Sequence, residues 1–134
     1  FLGICLGLQM LFDSSDDDGL HAGLGIIPGK CVRFDVDTTA GLNVPHMGWN
    51  GLNFAKPSKP SKPCPLYRGL ANGSSVYFVH SYAAPVLKDT FATCTHGAAF
   101  SAVVARGSIM GAQFHPERSS SPGALLLKNF LAIS

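Results

Sequence analysis

Apolar residues along the chain fall into short runs that are separated by polar stretches containing glycine or proline. The run over residues 1–12 predicts a strand followed by a helix. Asp13–Gly19 is acidic and ends in glycine, so we expect a loop that stops this helix. Residues 23–29 are rich in turn-forming residues, and Lys30–Phe34 then alternates in the manner of a short strand.

Strand-like segments return in the second half of the chain. Ser75–Tyr82 is rich in aromatic and β-branched residues, which favour strands. Ala99–Ala105 and Ile109–Phe114 flank a turn at residues 106–108, and this spacing predicts a β-hairpin. A final helix is expected with Ser121 as its cap and Pro122 at its first position. Its apolar stripe consists of Leu125, Leu126, Phe130 and Leu131.

Residues 55–65 form a proline-dense segment with a Ser-Lys-Pro repeat. Proline at this density is incompatible with helix or sheet interior, so a low-complexity surface insert is predicted. The chain as a whole, 1–134, is expected to form one domain. Because it begins inside an apolar strand that leads directly into a tight turn, we expect this domain to be incomplete at its N-terminus.

Composition supports a globular domain and excludes several other classes. The chain has 134 residues, is 46% hydrophobic and carries a formal net charge of +2. This charge is too small and scattered to indicate nucleic acid or an anionic membrane as a partner. No apolar run reaches the roughly 18 residues of a membrane span. The four cysteines form no C-x-x-C pair, which favours a reducing compartment over a disulfide framework or zinc site.

The first candidate catalytic residue is Cys5, which lies between two glycines in the segment Gly3–Gly7. This is the cysteine version of G-x-S-x-G, in which a tight turn between a strand and a helix exposes a nucleophile. Glycines are expected at both positions because the turn backbone lies close to the following helix. The thiol would also lie at a helix N-terminus, where the dipole favours thiolate. A buried structural cysteine between packing glycines remains the alternative interpretation.

A second candidate lies at the end of the final predicted strand, where His115 and Glu117 flank Pro116. A cysteine nucleophile needs a base, and that base must be held by a third group. Side chains two residues apart point to the same side of an extended segment, so Glu117 is expected to orient His115. Together with Cys5, this pair forms the set of roles of a catalytic triad.

These motifs resemble those of the class I (triad) glutamine amidotransferases. Gly3–Gln9 carries the cysteine motif and Phe114–Glu117 carries the histidine–glutamate motif. The resemblance implies an α/β, flavodoxin-like fold, a three-layer sandwich with a mixed central sheet that is here incomplete at its N-terminus. It implies neither a metal nor a cofactor.

The resemblance also implies a role for each matching residue. Cys5 would attack the side-chain amide of glutamine, with His115 as acid and base and Glu117 as its orienting group. The backbone N–H of Leu6 would donate to the oxyanion. The substrate glutamine would be held by Gln9, His80, Ser81 and Tyr82.

Two further segments, Val44–Asn50 and Tyr77–Tyr82, resemble the glutaminases of imidazole glycerol phosphate synthases. That resemblance implies that ammonia passes to a cyclase (β/α)₈ barrel, either a separate subunit or a fused C-terminal domain, in histidine biosynthesis. Trp49 would anchor the cyclase interface. The other interface residues would be Pro45, Met47, Gly48 and Asn50.

Two alternatives stay open on the sequence. The chain could be the glutaminase of another amidotransferase, although the segment around Trp49 argues against this. It could also be a catalytically impaired scaffold that only binds a partner, because the glycine-rich oxyanion loop that family members carry upstream of the nucleophile does not precede Cys5 here. The expected location is the cytoplasm, or a plastid if the source is a photosynthetic eukaryote.

Overall fold

A mixed five-stranded sheet lies at the centre of the computed structural model, which describes residues 1–16, 21–35, 39, 41–54 and 65–133. Its strands are β1 (Leu2–Ile4), β6 (Asn53–Phe54), β9 (Thr90–His96), β10 (Ala98–Arg106) and β11 (Ile109–Ala112). Their order across the sheet is β1-β11-β10-β9-β6. β1 runs parallel to β11, and the other three pairs are antiparallel.

Two smaller sheets and two helices complete the described part of the fold. One sheet has the order β3-β2-β4-β8 and consists of β2 (Phe12–Ser15), β3 (His21–Ala22), β4 (Ile27–Arg33) and β8 (Tyr82–Ala83). The other pairs β5 (His46–Gly51) with β7 (Ser75–His80) in antiparallel register. The helices are α1 (Leu6–Gln9) and α2 (Ser120–Leu131), with short 3₁₀ turns at Pro65–Tyr67 and Pro116–Arg118.

The core lies on both faces of the central sheet, because neighbouring residues of β10 enter different clusters. Val103 packs into one cluster with Phe78 of β7 and Leu126 of α2. Val104 packs into the other cluster with Leu8 after the elbow and Phe12 of β2. Elements therefore cover the sheet on both sides. This confirms the predicted α/β sandwich with three layers and a mixed central sheet.

The predicted loop after the first helix is wrong at its start. α1 ends at Gln9, and residues 12–15 form strand β2. Ser14 and Ser15 pair in parallel with Lys30 and Cys31 of β4. Pairing with β4 therefore overrides the turn preference of the short polar side chains. Residues 17–20 lie outside the described part of the chain.

The predicted hairpin is confirmed by the antiparallel pairing of β10 with β11. The last helix differs in detail from the prediction. It begins at Ser120, its cap position is Ser119, and the hydroxyl of Ser119 donates to the carbonyl of His115 at 2.6 Å. Leu131 is 83% exposed and lies outside the apolar stripe, whereas Leu126 is fully buried.

Most of the Ser-Lys-Pro insert, residues 55–64, lies outside the described residues, and Pro65 begins a 3₁₀ turn. Within the described ranges, neither helix combines the length and the apolar character needed to cross a bilayer.

Candidate active site

The predicted elbow is present between β1 and α1. Cys5 adopts φ 54° and ψ −104°, a backbone conformation that non-glycine residues rarely take. Its N–H donates to the carbonyl of Ala112 at 2.8 Å, which ties the turn to the end of β11. The nucleophile candidate is thus held in a sharp, strained turn at the end of a strand.

Only one of the two elbow glycines is required by packing. A Cβ on Gly3 would lie 2.5 Å from the backbone oxygen of Gly7, far inside contact distance. A Cβ on Gly7 would meet nothing within 4 Å. The expectation of a packing role for both glycines is therefore wrong for Gly7, whose backbone is the neighbour that Gly3 accommodates.

The surroundings of the Cys5 thiol differ from those of the two buried cysteines. Burial raises the pKa of Cys31 to about 12 and that of Cys94 to about 11, which keeps both as inert thiols. Cys5 is half-buried, lines a cleft and receives a hydrogen bond from Gln113 Nε2 at 3.6 Å. The predicted contribution of a helix dipole is small, because α1 has four residues.

His115 and Glu117 form the predicted pair. His115 Nδ1 lies 2.6 Å from Glu117 Oε1, so this nitrogen carries the donating hydrogen and Nε2 is left as the acceptor. The contact arises differently from the prediction, since Pro116–Arg118 is a 3₁₀ turn and not an extended segment. That turn folds the carboxylate back onto the imidazole ring.

Cys5 and His115 follow the ends of two neighbouring strands, because β1 pairs with β11. These neighbouring strands are parallel and place Ile4 opposite Ala112, so the residues that follow each strand emerge at the same edge of the sheet. The N–H of His115 donates to the carbonyl of Tyr77 at 2.9 Å, which fixes the segment against β7. The three predicted triad residues thus extend from one edge.

An open cleft of about 490 Å³ lies beside the elbow. It is lined by Cys5, Leu6, Gln9, Arg33, Val79, His80, Ser81 and Tyr82. The four residues predicted to hold the substrate all border it. Arg33 was missed by the sequence analysis, because its position depends on the pairing of β4 with β8, where it lies opposite Tyr82.

Gln113 is a second site residue that was not predicted from the sequence. It is completely buried and accepts a hydrogen bond from Gln9 Nε2 at 3.1 Å. The second hydrogen of Gln9 Nε2 goes to the carbonyl of Tyr82 at 3.0 Å. One signal was available in the sequence: Gln113 is a polar residue inside an apolar strand segment, two positions before His115.

Behind the cleft, His80 belongs to a buried group of aromatic rings that includes His46, which was also not predicted as a site residue. Burial lowers the pKa of each of these two histidines to about 4. His80 Nδ1 donates to the carbonyl of Tyr82 at 2.9 Å. His80 therefore supports the wall of the cleft as a neutral imidazole.

The residues predicted to face a partner divide between two faces of the β5 segment. Met47 and Trp49 alternate outward and are 63% and 53% exposed, and Pro45 is exposed as well. Gly48 and Asn50 are half-buried. The amide of Asn50 turns inward and donates to the carbonyl of Thr95 at 3.0 Å.

Known proteins are similar to this chain over nearly its whole length. The imidazole glycerol phosphate synthase subunit HisH of Xanthomonas euvesicatoria is 49% identical over 133 residues, covering 99% of this chain and 62% of the relative. A protein of the same name from Syntrophotalea carbinolica is 48% identical over 136 residues, covering 97% of this chain and 63% of the relative. The chain thus spans less than two thirds of the length of these relatives.

Solved structures agree at the level of the fold. A glutamine amidotransferase from Thermotoga maritima superposes with a TM-score of 0.58 at 19% identity, covering 98% of this chain and 46% of that chain. The family model described as glutamine amidotransferase class-I matches residues 1–133. This chain therefore belongs to the class-I glutamine amidotransferase family.

Proposed function

We propose that this chain is the glutaminase part of an imidazole glycerol phosphate synthase. The observation that carries the proposal is the placement of Cys5 in a strained elbow at the edge where the His115–Glu117 pair also emerges. The names of the two relatives support the choice of this synthase among the amidotransferases. In this function, glutamine is hydrolysed and the ammonia is passed to a cyclase in histidine biosynthesis.

The first half of the reaction forms a thioester. The Cys5 thiolate attacks the side-chain amide carbon of glutamine, and the carbonyl oxygen becomes an oxyanion that the backbone N–H of Leu6 stabilises. The C–N bond then breaks, with the proton that His115 took from the thiol going to the leaving nitrogen. Ammonia and a γ-glutamyl thioester result.

The second half returns the enzyme to its starting state. His115 takes a proton from water, the resulting hydroxide attacks the thioester carbon, and the C–S bond breaks to release glutamate and the Cys5 thiolate. Glu117 keeps Nδ1 of the ring protonated. Nε2 therefore acts as the acid and base in both halves.

Arg33 is the candidate for binding the α-carboxylate of glutamine. Among the described residues that line the cleft, it carries the permanent positive charge. Gln9 cannot supply this contact through its amino group, since both hydrogens are donated to Tyr82 and Gln113. Arg33 therefore provides a charged donor, in the same cleft as the nucleophile, for the end of the substrate that does not react.

The cyclase is proposed to contact the outward face of β5. Trp49 and Met47 form an exposed apolar pair there, and an exposed tryptophan is the type of residue that commonly dominates interface energetics. The cyclase barrel is a separate subunit or a fused C-terminal domain. We place the protein in the cytoplasm, a proposal supported by the bacterial origin of both relatives and by the free thiols of the buried residues Cys31 and Cys94. The two relatives offer no support for the plastid alternative.

The test is glutamine hydrolysis by the protein together with its cyclase. Cys5→Ala should abolish ammonia release while synthesis of imidazole glycerol phosphate from added ammonium salt continues. The matched control is Cys94→Ala, which removes a buried thiol on β9 and should leave hydrolysis in place. Retained glutaminase activity in Cys5→Ala contradicts the nucleophile assignment. Ammonia release without any cyclase product would support the alternative of another amidotransferase.

A further inference from the structure

The side chain of Gln113 lies between the nucleophile and Gln9. It follows β11, its N–H donates to the carbonyl of Ala102 at 2.8 Å, and none of its surface is exposed. Its Oε1 lies 3.1 Å from Gln9 Nε2, and its Nε2 lies 3.6 Å from Cys5 Sγ. A buried carboxamide of this kind needs partners for both of its ends.

The direction of each hydrogen bond follows from the chemistry of the neighbours. The carbonyl of Tyr82 can only accept, so the end of Gln9 that faces it is the amino group. That amino group donates its other hydrogen to Gln113, so the facing atom of Gln113 is the oxygen. The opposite end of Gln113, which faces Cys5, is therefore an N–H donor.

We propose that Gln113 is a positioning residue of the glutaminase reaction, whose carboxamide holds the Cys5 sulfur and the Gln9 side chain in fixed relative places. The proposal rests on the function proposed above. An N–H donor stabilises sulfur more as thiolate than as thiol, because the charged acceptor makes the stronger hydrogen bond. Gln113 transfers no proton and touches no reacting carbon.

Beside the cleft, these groups form a continuous chain of hydrogen bonds that ends at the nucleophile. The carbonyl of Tyr82 holds Gln9, Gln9 holds the oxygen of Gln113, and Gln113 presents its amino group to Cys5. Replacing Gln113 with a side chain of similar length and no donor leaves the space filled and removes only the hydrogen bonds. Gln113→Met is such a change.

The experiment measures alkylation of Cys5 by iodoacetamide as a function of pH, with the Cys5 peptide quantified by mass spectrometry. For Gln113→Met we expect the midpoint of the alkylation profile to move to higher pH. The alkylation rate at pH 7 should fall about tenfold, as for loss of one hydrogen bond to a charged group. Gln113→Glu provides a second test with a side chain of the same shape as glutamine. Its carboxylate would repel the thiolate and should therefore also move the midpoint to higher pH. The matched control is Ser101→Ala, which removes a fully buried hydroxyl bonded to Thr90 and Pro85 and should leave the profile unchanged.

A profile that coincides with that of the wild type in both Gln113 variants overturns the proposal. Thermal unfolding of each variant distinguishes an effect on Cys5 from a general loss of stability. Ser101→Ala is expected to lose stability without a change in alkylation. Glutamine turnover is measured separately. If the wild type hydrolyses no glutamine while Gln113→Met still shifts the alkylation profile of Cys5, the proposed function is contradicted. The positioning of Cys5 by Gln113 is supported in that case.

Discussion

His46 Nδ1 and His80 Nε2 lie 3.0 Å apart in the interior, in a hydrogen bond that joins β5 to β7. His80 Nδ1 donates to the carbonyl of Tyr82, so its Nε2 is the acceptor and His46 Nδ1 is the donor. His46 Nε2 then accepts from Asn50 Nδ2 at 3.3 Å. Both rings are thereby defined as neutral tautomers.

This arrangement connects the segment proposed to face the cyclase with the glutamine cleft. Asn50 lies on the same strand as Trp49, and the carbonyl of Tyr82 also receives the amide of Gln9. Protonation of His46 at Nε2 would place its new N–H against the N–H of Asn50. Protonation of His80 at Nε2 would place its new N–H against the N–H of His46. The neighbouring ring of His96, which stacks on His46 at 4.3 Å between centroids, adds to this cost when charged.

The first prediction is a loss of stability as the pH falls from about 6.5 to about 4. Burial lowers the pKa of His46 and of His80 to about 4, whereas an unfolded histidine titrates near its usual value of about 6.5. Within this window the unfolded chain binds protons that the folded chain does not, so the free energy of unfolding decreases with decreasing pH. Above the window the full stability is present.

Urea unfolding at pH 7, 6 and 5, followed by circular dichroism, measures this dependence. His46→Gln should flatten it, whereas His21→Gln changes an exposed histidine and should retain it. An unfolding free energy that is equal at pH 7 and pH 5 in the wild type contradicts the assignment of neutral buried rings.

The second prediction separates the two elbow glycines. Gly3→Ala places a methyl group 2.5 Å from a backbone oxygen, and we expect a loss of about 3 kcal/mol together with glutaminase activity, as for overpacking against atoms that cannot move. Gly7→Ala meets nothing within 4 Å and gains helix propensity, so we expect no loss and a gain of up to about 1 kcal/mol. Thermal unfolding of both variants provides the measurement. Equal destabilisation by the two changes would show that the close approach at Gly3 is not the reason for the motif.

The third prediction concerns recognition of the substrate. Arg33→Gln removes the charge that we assign to the α-carboxylate of glutamine, so KM for glutamine should rise about tenfold or more, with kcat little changed. The control is Arg106→Gln, because Arg106 pairs with Asp89 away from the lining of the cleft and its loss should leave KM unaltered. An unchanged KM in Arg33→Gln, or a loss confined to kcat, assigns the carboxylate to another group.

The fourth prediction concerns the partner surface. Trp49→Ala should weaken binding of the cyclase by about 2 kcal/mol, roughly thirtyfold in Kd, as for loss of an aromatic anchor. Isothermal titration calorimetry against the cyclase measures this change. Leu131→Ala removes a side chain that is 83% exposed at the end of α2 and should bind normally. Identical Kd values for Trp49→Ala and the wild type refute the anchor role.

Local sequence predicted the parts of the site that depend on near neighbours. The elbow at Cys5 and the contact of His115 with Glu117 involve residues within a few positions of one another, and both are present. The extended geometry proposed for the second contact was wrong. The chain turns at Pro116–Arg118, and the carbonyl of His115 and the hydroxyl of Ser119 hold that turn.

Strand pairing accounts for the largest error in the predicted fold. Ser14 and Ser15 have the composition of a loop, yet they pair with β4. The energy of a strand depends on the neighbour with which it pairs, so composition within a window of a few residues cannot reveal it.

The sequence by itself indicated the residues to which we assign the chemistry and the partner contact: a cysteine in a glycine-bounded turn, a histidine with its glutamate, and a tryptophan in the segment proposed to face the partner. Each is defined by backbone geometry over a short span of the chain. The tertiary structure alone decided what surrounds them. Gln113 reaches the Cys5 sulfur from 108 positions away, and Arg33 joins the cleft through the register of β4 with β8. Such contacts depend on strand order and register, which are set by packing of the whole core and not by any single segment.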